Sequence, residues 1–181
     1  GINTGFPSYA VQNLPFGAAG AQPSSICVGE FDGAAGLDLA VVTSSDNRWH
    51  ILANNGTGTF SVLASGVLPA VALVPNDIAC GDLNGDGRAD LVVATLGSGF
   101  LTPGGGFVLL NGGAGTSFAA SSLPGVFTGG CKAVAVGQID GAAGLDIALT
   151  EGNGSSGRVH VYSGDGAGGF TAMAASPVTV D

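Results

Sequence analysis

The residues with the clearest chemistry are those of "DLNGDGRAD", in which Asp82, Asn84, Asp86 and Asp90 stand at positions 1, 3, 5 and 9 of a nine-residue loop. Alternating side chains in a tight turn aim their oxygens inward. A hard cation such as Ca2+ takes about six to eight oxygen ligands. Gly85 and Gly87 permit the sharp backbone path, and Arg88 at position 7 can offer its carbonyl. No helical pattern flanks the loop and no glutamate stands at position 12, which excludes an EF-hand. The other reading is a hairpin that uses Asp and Gly only for their turn geometry.

Two further loops keep this length with fewer ligands. One carries Glu30, Asp32 and Asp38 with Ala34 at position 5, a weaker metal site; the other carries Gln138, Asp140 and Asp146 with Ala142 there, a metal-free turn. All three sit in repeated segments, "VGEFDGAAGLDLAVVT" from Val28, "CGDLNGDGRADLVVAT" from Cys80 and "VGQIDGAAGLDIALTE" from Val136. Asp38, Asp90 and Asp146 lie 52 and 56 residues apart. A second marker follows each: an apolar run, a Gly/Asn turn and Phe60, Phe118 or Phe170.

The elements that hold these loops read as strands. Short Val, Ile, Leu and Thr runs alternate with Gly, Asn and Asp clusters, and no capped 3.6-residue period appears. Four strands per repeat are expected: 25–30, 38–43, 49–54 and 59–66; 77–82, 90–95, 107–111 and 117–123; 132–138, 146–151, 158–163 and 169–175. This is an all-β chain of three four-stranded antiparallel β-propeller blades, at 25–66, 67–124 and 125–181. Residues 1–24 add an N-terminal strand, near 5–11 with Phe6, that resembles the fourth strand of a preceding blade. Three blades fall short of the roughly four to eight that close a propeller, so the chain is not closable as a monomer.

"GDLNGDGRADLVVA" followed by "NGGAGTSF" resembles the FG-GAP/VCBS repeat, the calcium-binding blade of integrin α-subunit propellers, and "EGNGSSGRVHVYSGDGAGGF" is similar. The likeness covers residues 25–175. It implies consecutive propeller blades, calcium held between first and second strands by Asp82, Asn84, Asp86, the Arg88 carbonyl and Asp90, and extracellular or cell-surface work in adhesion or ligand recognition.

Composition narrows the partners. With 13 acidic and 4 basic residues the formal charge is −9, which argues against nucleic acid and anionic membrane surfaces. No apolar run approaches the roughly 18 residues of a spanning helix, so membrane insertion is not expected. The start shows neither a basic flank nor an apolar h-region, so no signal peptide is expected, and the chain reads as mature, trimmed or cut from something longer. Cys27, Cys80 and Cys131 are too few and too irregular for a disulfide framework, and read as small buried apolar residues.

Several motifs are set aside. "GDGAGG" at 164–169 lacks a following helix and matches the hairpin turns of the other repeats. His50 and His160 fall at matching positions, with Phe107 in the second repeat, so the position reads as a packed aromatic site. Trp49 reads as a half-buried blade residue rather than a sugar platform, and Asn55 and Asn153 head sequons that suit exposed turns. "GRAD" at 87–90 belongs to the metal loop rather than to an adhesion tripeptide. The insertion at 97–106 is the first place to seek a binding face.

The expectation is therefore a non-enzymatic, calcium-stabilised module that recognises a protein or glycan or packs with neighbouring blades. The alternative is a structural subunit whose copies self-associate into a ring or filament by β-strand complementation. An enzyme would need a cluster of acid and base groups that two histidines and two glutamates do not form.

Overall fold

The structure, a computed structural model, describes residues 12–68, 74–99, 102–152, 154 and 156–180. Among these residues there is no helix. Thirteen strands make three antiparallel sheets, none closed into a barrel. Sheet 1 has the order β1 (Pro23–Gly29), β2 (Asp38–Thr43), β3 (Arg48–Asn54), β4 (Phe60–Val67). Sheet 2 follows as β5 (Pro75–Gly81), β6 (Asp90–Gly99), β7 (Thr102–Asn111), β8 (Phe118–Ser122). Sheet 3 runs β9 (Gly130–Gly137), β10 (Asp146–Gly152), β11 (Gly157–Gly164), β12 (Phe170–Ala172), with β13 (Val178–Val180) also paired to β11.

The twelve strands expected in the three repeats all form, with two differences. The insertion at 97–106 lengthens the β6–β7 hairpin, where Gly97 pairs with Pro103. Gly104 is obligatory there, because a Cβ would stand 1.8 Å from the Thr95 carbonyl oxygen. The last strand of sheet 3 divides into β12 and β13, since Ser176 donates its N–H to Met173 O at 2.8 Å and its Oγ accepts the Val161 N–H at 2.8 Å. The N-terminal strand expected at 5–11 lies outside the described residues, as do Asn153 and positions 100–101 of the insertion.

The sheets pack face to face, with β1 against β5 and β5 against β9. Between sheets 1 and 2 lies one core of Phe31, Val42, Trp49, Ile51, Ile78, Leu91, Val93 and Leu109. Between sheets 2 and 3 lies another of Leu83, Val92, Ala94, Val108, Ile147, Leu149 and Tyr162. Alternate residues of β6, Leu91 and Val93 on one side and Val92 and Ala94 on the other, serve both cores. That is the period-2 pattern of a strand buried on each face. Trp49 is 7% exposed and meets the Phe118 ring edge-on at 4.8 Å, so it is core rather than half-buried.

The cysteine reading needs correction. Cys27 and Cys80 form a disulfide with Cα atoms 6.1 Å apart, joining β1 to β5, while Cys131 is free and buried. Their separation of 53 residues is close to one repeat, which sets them side by side on neighbouring first strands.

Candidate metal centre

In each sheet the loop between first and second strands and the turn between third and fourth strands lie at the same end. The position-9 aspartate ties them together. Asp38 accepts the Phe31 N–H at 3.0 Å and the Asn54 N–H at 2.8 Å. Asp90 does the same with Leu83 at 2.9 Å and Asn111 at 2.7 Å, and Asp146 with Ile139 at 2.6 Å and Gly164 at 3.0 Å. All three are fully buried. Burial pushes the Asp90 carboxyl above its ordinary range; the Leu83 and Asn111 N–H groups oppose this and Asp82 and Asp86 add to it. For Asp146 burial acts upward, but the N–H groups of Gly164, Ile139 and Asp140 together hold the carboxyl below its ordinary range.

In the loop of sheet 2, Asp82 collects the N–H groups of Gly85 at 2.7 Å, Asp86 at 3.1 Å and Gly87 at 2.8 Å. Asn84 Oδ1 accepts the Asp86 N–H at 3.0 Å, and Asp86 Oδ1 accepts the Arg88 N–H at 2.9 Å. Gly85 and Gly87 take the left-handed φ values of 78° and 83° that this path requires. Its donors are all hard oxygens, the chemistry that suits Ca2+. Asp86 is exposed at the tip, and Asp90 sits beneath it as a clamp.

The loop of sheet 1 draws its carboxylates closer. Glu30, Asp32 and Asp38 each place one oxygen within 4.8 Å of the others, the one such group of three His, Cys, Asp or Glu among the described residues. Glu30 accepts the Gly33 N–H and Asp32 the Ala34 N–H, each through one oxygen and each at 2.7 Å. The second oxygen of each is left for a cation. The ranking of the loops by ligand count therefore differs from their geometry. Asp82, Asp86 and Asp90 do not form such a group; Asp82 accepts three backbone N–H groups and Asp86 one. The Arg88 side chain crosses to the loop of sheet 1, where a Cβ on Gly33 would meet Nη1 at 2.9 Å.

The loop of sheet 3 is braced from within. Gln138 Nε2 donates to the carbonyls of Ala142 and Gly144, and its Oε1 accepts the Gly141 N–H at 2.9 Å. Asp140 accepts the Ala142 N–H at 2.7 Å and the Ser163 hydroxyl at 2.6 Å.

Two buried histidine arrangements were not legible in the sequence. His50 Nδ1 lies 2.7 Å from Ser65 Oγ and its Nε2 3.3 Å from Thr43 Oγ1, which in turn bonds Asp46. Burial lowers the His50 pKa; Asp46 acts upward and Arg48 downward. His160 Nε2 lies 2.7 Å from Glu151, which also accepts the N–H groups of Thr128 and Gly129 and stands 3.7 Å from Arg158. For Glu151 burial acts upward, but these donors together hold the carboxyl below its ordinary range. Phe107 occupies the matching place in sheet 2, so the shared position is a packing site that in sheets 1 and 3 carries a hydrogen-bonded imidazole.

Asn55 folds its side chain onto Thr57 and Thr59, and Asp165 onto the Ala167 and Gly169 N–H groups, so "NNGTG" and "GDGAGG" are Asx-type hairpin turns. Comparison with protein families matches residues 31–93 to the FG-GAP-like repeat. Comparison with curated proteins finds no match.

Proposed function

We propose, from the FG-GAP-like repeat at residues 31–93, that this chain is a non-enzymatic recognition module whose three sheets are consecutive β-propeller blades and whose loops bind calcium. The observation that carries the reading is the paired loops of sheets 1 and 2. Both cross between first and second strands at one end, both offer only oxygen donors, and they are joined by the Ala89 N–H to Glu30 O bond at 2.7 Å. Glu30, Asp32 and Asp38 would hold a cation in one loop; Asp82, Asn84, Asp86, Asp90 and the Arg88 carbonyl would hold it in the other. The ion would supply charge neutralisation for a chain of net charge −9, so binding adds to folding stability.

The same end of the sheets, with its exposed turns, is where a protein or glycan ligand would meet the module. An extracellular or cell-surface setting supplies the millimolar calcium that such sites use and the oxidising conditions that suit the Cys27–Cys80 bridge. Isothermal titration with Ca2+ tests the reading. Heat of binding that disappears in an Asp32→Ala, Asp86→Ala double variant supports it, and a wild-type titration without heat or a change in melting temperature refutes it.

A further inference from the structure

The turn between β2 and β3, at the end of sheet 1 away from its acidic loop, closes a chain of hydrogen bonds that calcium binding does not use. Asp46 accepts the Thr43 hydroxyl proton, which leaves Thr43 Oγ1 to accept the Nε2–H of His50 at 3.3 Å. The other imidazole nitrogen, Nδ1, is then an acceptor, and Ser65 Oγ stands 2.7 Å from it across the β3–β4 pair. This order of donors and acceptors fixes the Ser65 hydroxyl as the donor to Nδ1.

Exposure divides the pair as a base and its nucleophile require. His50 is 0% exposed, roofed by Gly17, on which a Cβ would stand 3.6 Å from its Cε1, and by Phe16, whose ring centroid lies 5.1 Å away. Ser65 is exposed, on the wall of a cleft of about 360 Å³ lined also by Gly17, Ala18 and Arg48. Burial lowers the His50 pKa, so at neutral pH the imidazole is uncharged and able to take a proton. The repeat supplies contrasts within the same chain. In sheet 2 the pair at this register is Phe107 and Ser122, an exposed serine without a base. In sheet 3 it is His160, bound to Glu151 at 2.7 Å.

We propose that Ser65 is an acyl acceptor, a nucleophilic serine with His50 as its general base and Thr43 and Asp46 as positioning residues, which takes the acyl group of an activated carboxylic ester. Ser65 Oγ bonds to the acyl carbon as its proton passes to His50 Nδ1. The bond from that carbon to the leaving oxygen breaks, and the proton moves on to that oxygen, which departs as the alcohol and returns His50 to its neutral form. Asp46, through Thr43, stabilises the charge that the imidazole carries in between. Ala18 spends its N–H on Asp46 at 3.4 Å, so the developing oxyanion meets the Arg48 guanidinium, whose side chain is 40% exposed. A solvent-screened guanidinium is a weaker stabiliser than a pair of buried N–H donors. Deacylation is therefore slow, and the site accepts an acyl group rather than turning ester over.

The test is p-nitrophenyl acetate with the full chain, read by mass mapping of the acetylated residues alongside nitrophenol release. The expected result is acetylation of Ser65 about 100-fold or more faster than of Ser122, since a general base contributes about 10²–10⁴-fold. That ratio is read within the wild-type chain and does not depend on any variant folding. The rate should fall as pH drops below 6.5 and His50 gains a proton; Asp46 and Arg48 are the charged groups facing it, while residues 16–18 and β4 bring none. His50→Phe, which copies the Phe107–Ser122 pair, should bring Ser65 down to the Ser122 rate with its melting curve as the folding control. Ser65→Ala, at an exposed side chain, should remove the nitrophenol released in the first turnover. Equal acetylation of Ser65 and Ser122 overturns the proposal. So does a Ser65 rate that does not fall below pH 6.5, a folded His50→Phe chain that reacts as fast as the wild type, or an unchanged release from Ser65→Ala.

Discussion

Asp38, Asp90 and Asp146 admit two jobs that their spacing alone does not separate. Read as position 9 of a metal loop, Asp38 and Asp90 are candidate ligands; in the structure all three are buried clamps that satisfy N–H groups from two elements. The signal for the second job was their persistence in the loop of sheet 3, where the other ligand positions have changed. Asp90→Ala should therefore cost about 2–4 kcal/mol without any metal, because it orphans two buried N–H groups, and urea unfolding in chelator measures it. Asp86→Ala, at the exposed tip, should leave that apo stability within about 0.5 kcal/mol while losing the response to calcium. The His50 network escaped the sequence because Thr43, Ser65 and His50 meet only once three strands are in register. Its pKa is lowered from 6.5 by burial, so the unfolded chain binds the proton more readily in the window below 6.5. Stability from this group is present above that window and is lost as pH falls through the folded value. His50→Phe, the residue type that sheet 2 uses at Phe107, should flatten the dependence of melting temperature on pH just below 6.5.

At the scale of strands and turns, most of the organisation was legible. Alternating apolar runs bounded by Gly and Asn located β1 to β12 but not β13, which lies beyond the expected 169–175. What the pattern could not carry were features decided by contacts between sheets. The β6–β7 extension depends on Gly104 lying against the Thr95 backbone, and the division of the last strand depends on one serine side chain replacing a ladder partner. The disulfide belongs to this class too. Cys27 and Cys80 look irregular along the chain and become neighbours only when β1 and β5 pack. A bridge closing 53 residues should stabilise by about 4 kcal/mol through loop closure, an upper figure for Cys27→Ser measured by urea unfolding. Thiol titration of the unreduced, denatured chain should count one group per molecule, that of Cys131. In the native state that thiol should resist alkylation, since burial and then Glu151 push its pKa up to about 12.

For the whole molecule, the three sheets form a series in which the middle one packs against sheet 1 on one face and sheet 3 on the other, with the acidic loops at a common end. The series follows from the repeat, and the repeat was the plainest feature of the sequence. Which loop converges best on a cation was not, because the count of ligands favours the loop of sheet 2 and the approach of carboxylates favours that of sheet 1. Both loops brace first hairpins whose buried aspartates hold the third strands, so a bound cation would stiffen two sheets together. The most direct measurement is a calorimetric melt of the full chain in excess Ca2+ and in chelator. At about a hundred times the dissociation constant, binding adds about 2.7 kcal/mol, or roughly 5–10 °C for a chain of this size. A rise of that order, absent from the Asp32→Ala, Asp86→Ala variant, is the result predicted. Superimposable melts with and without calcium would contradict the metal assignment and leave the acidic loops as turns alone.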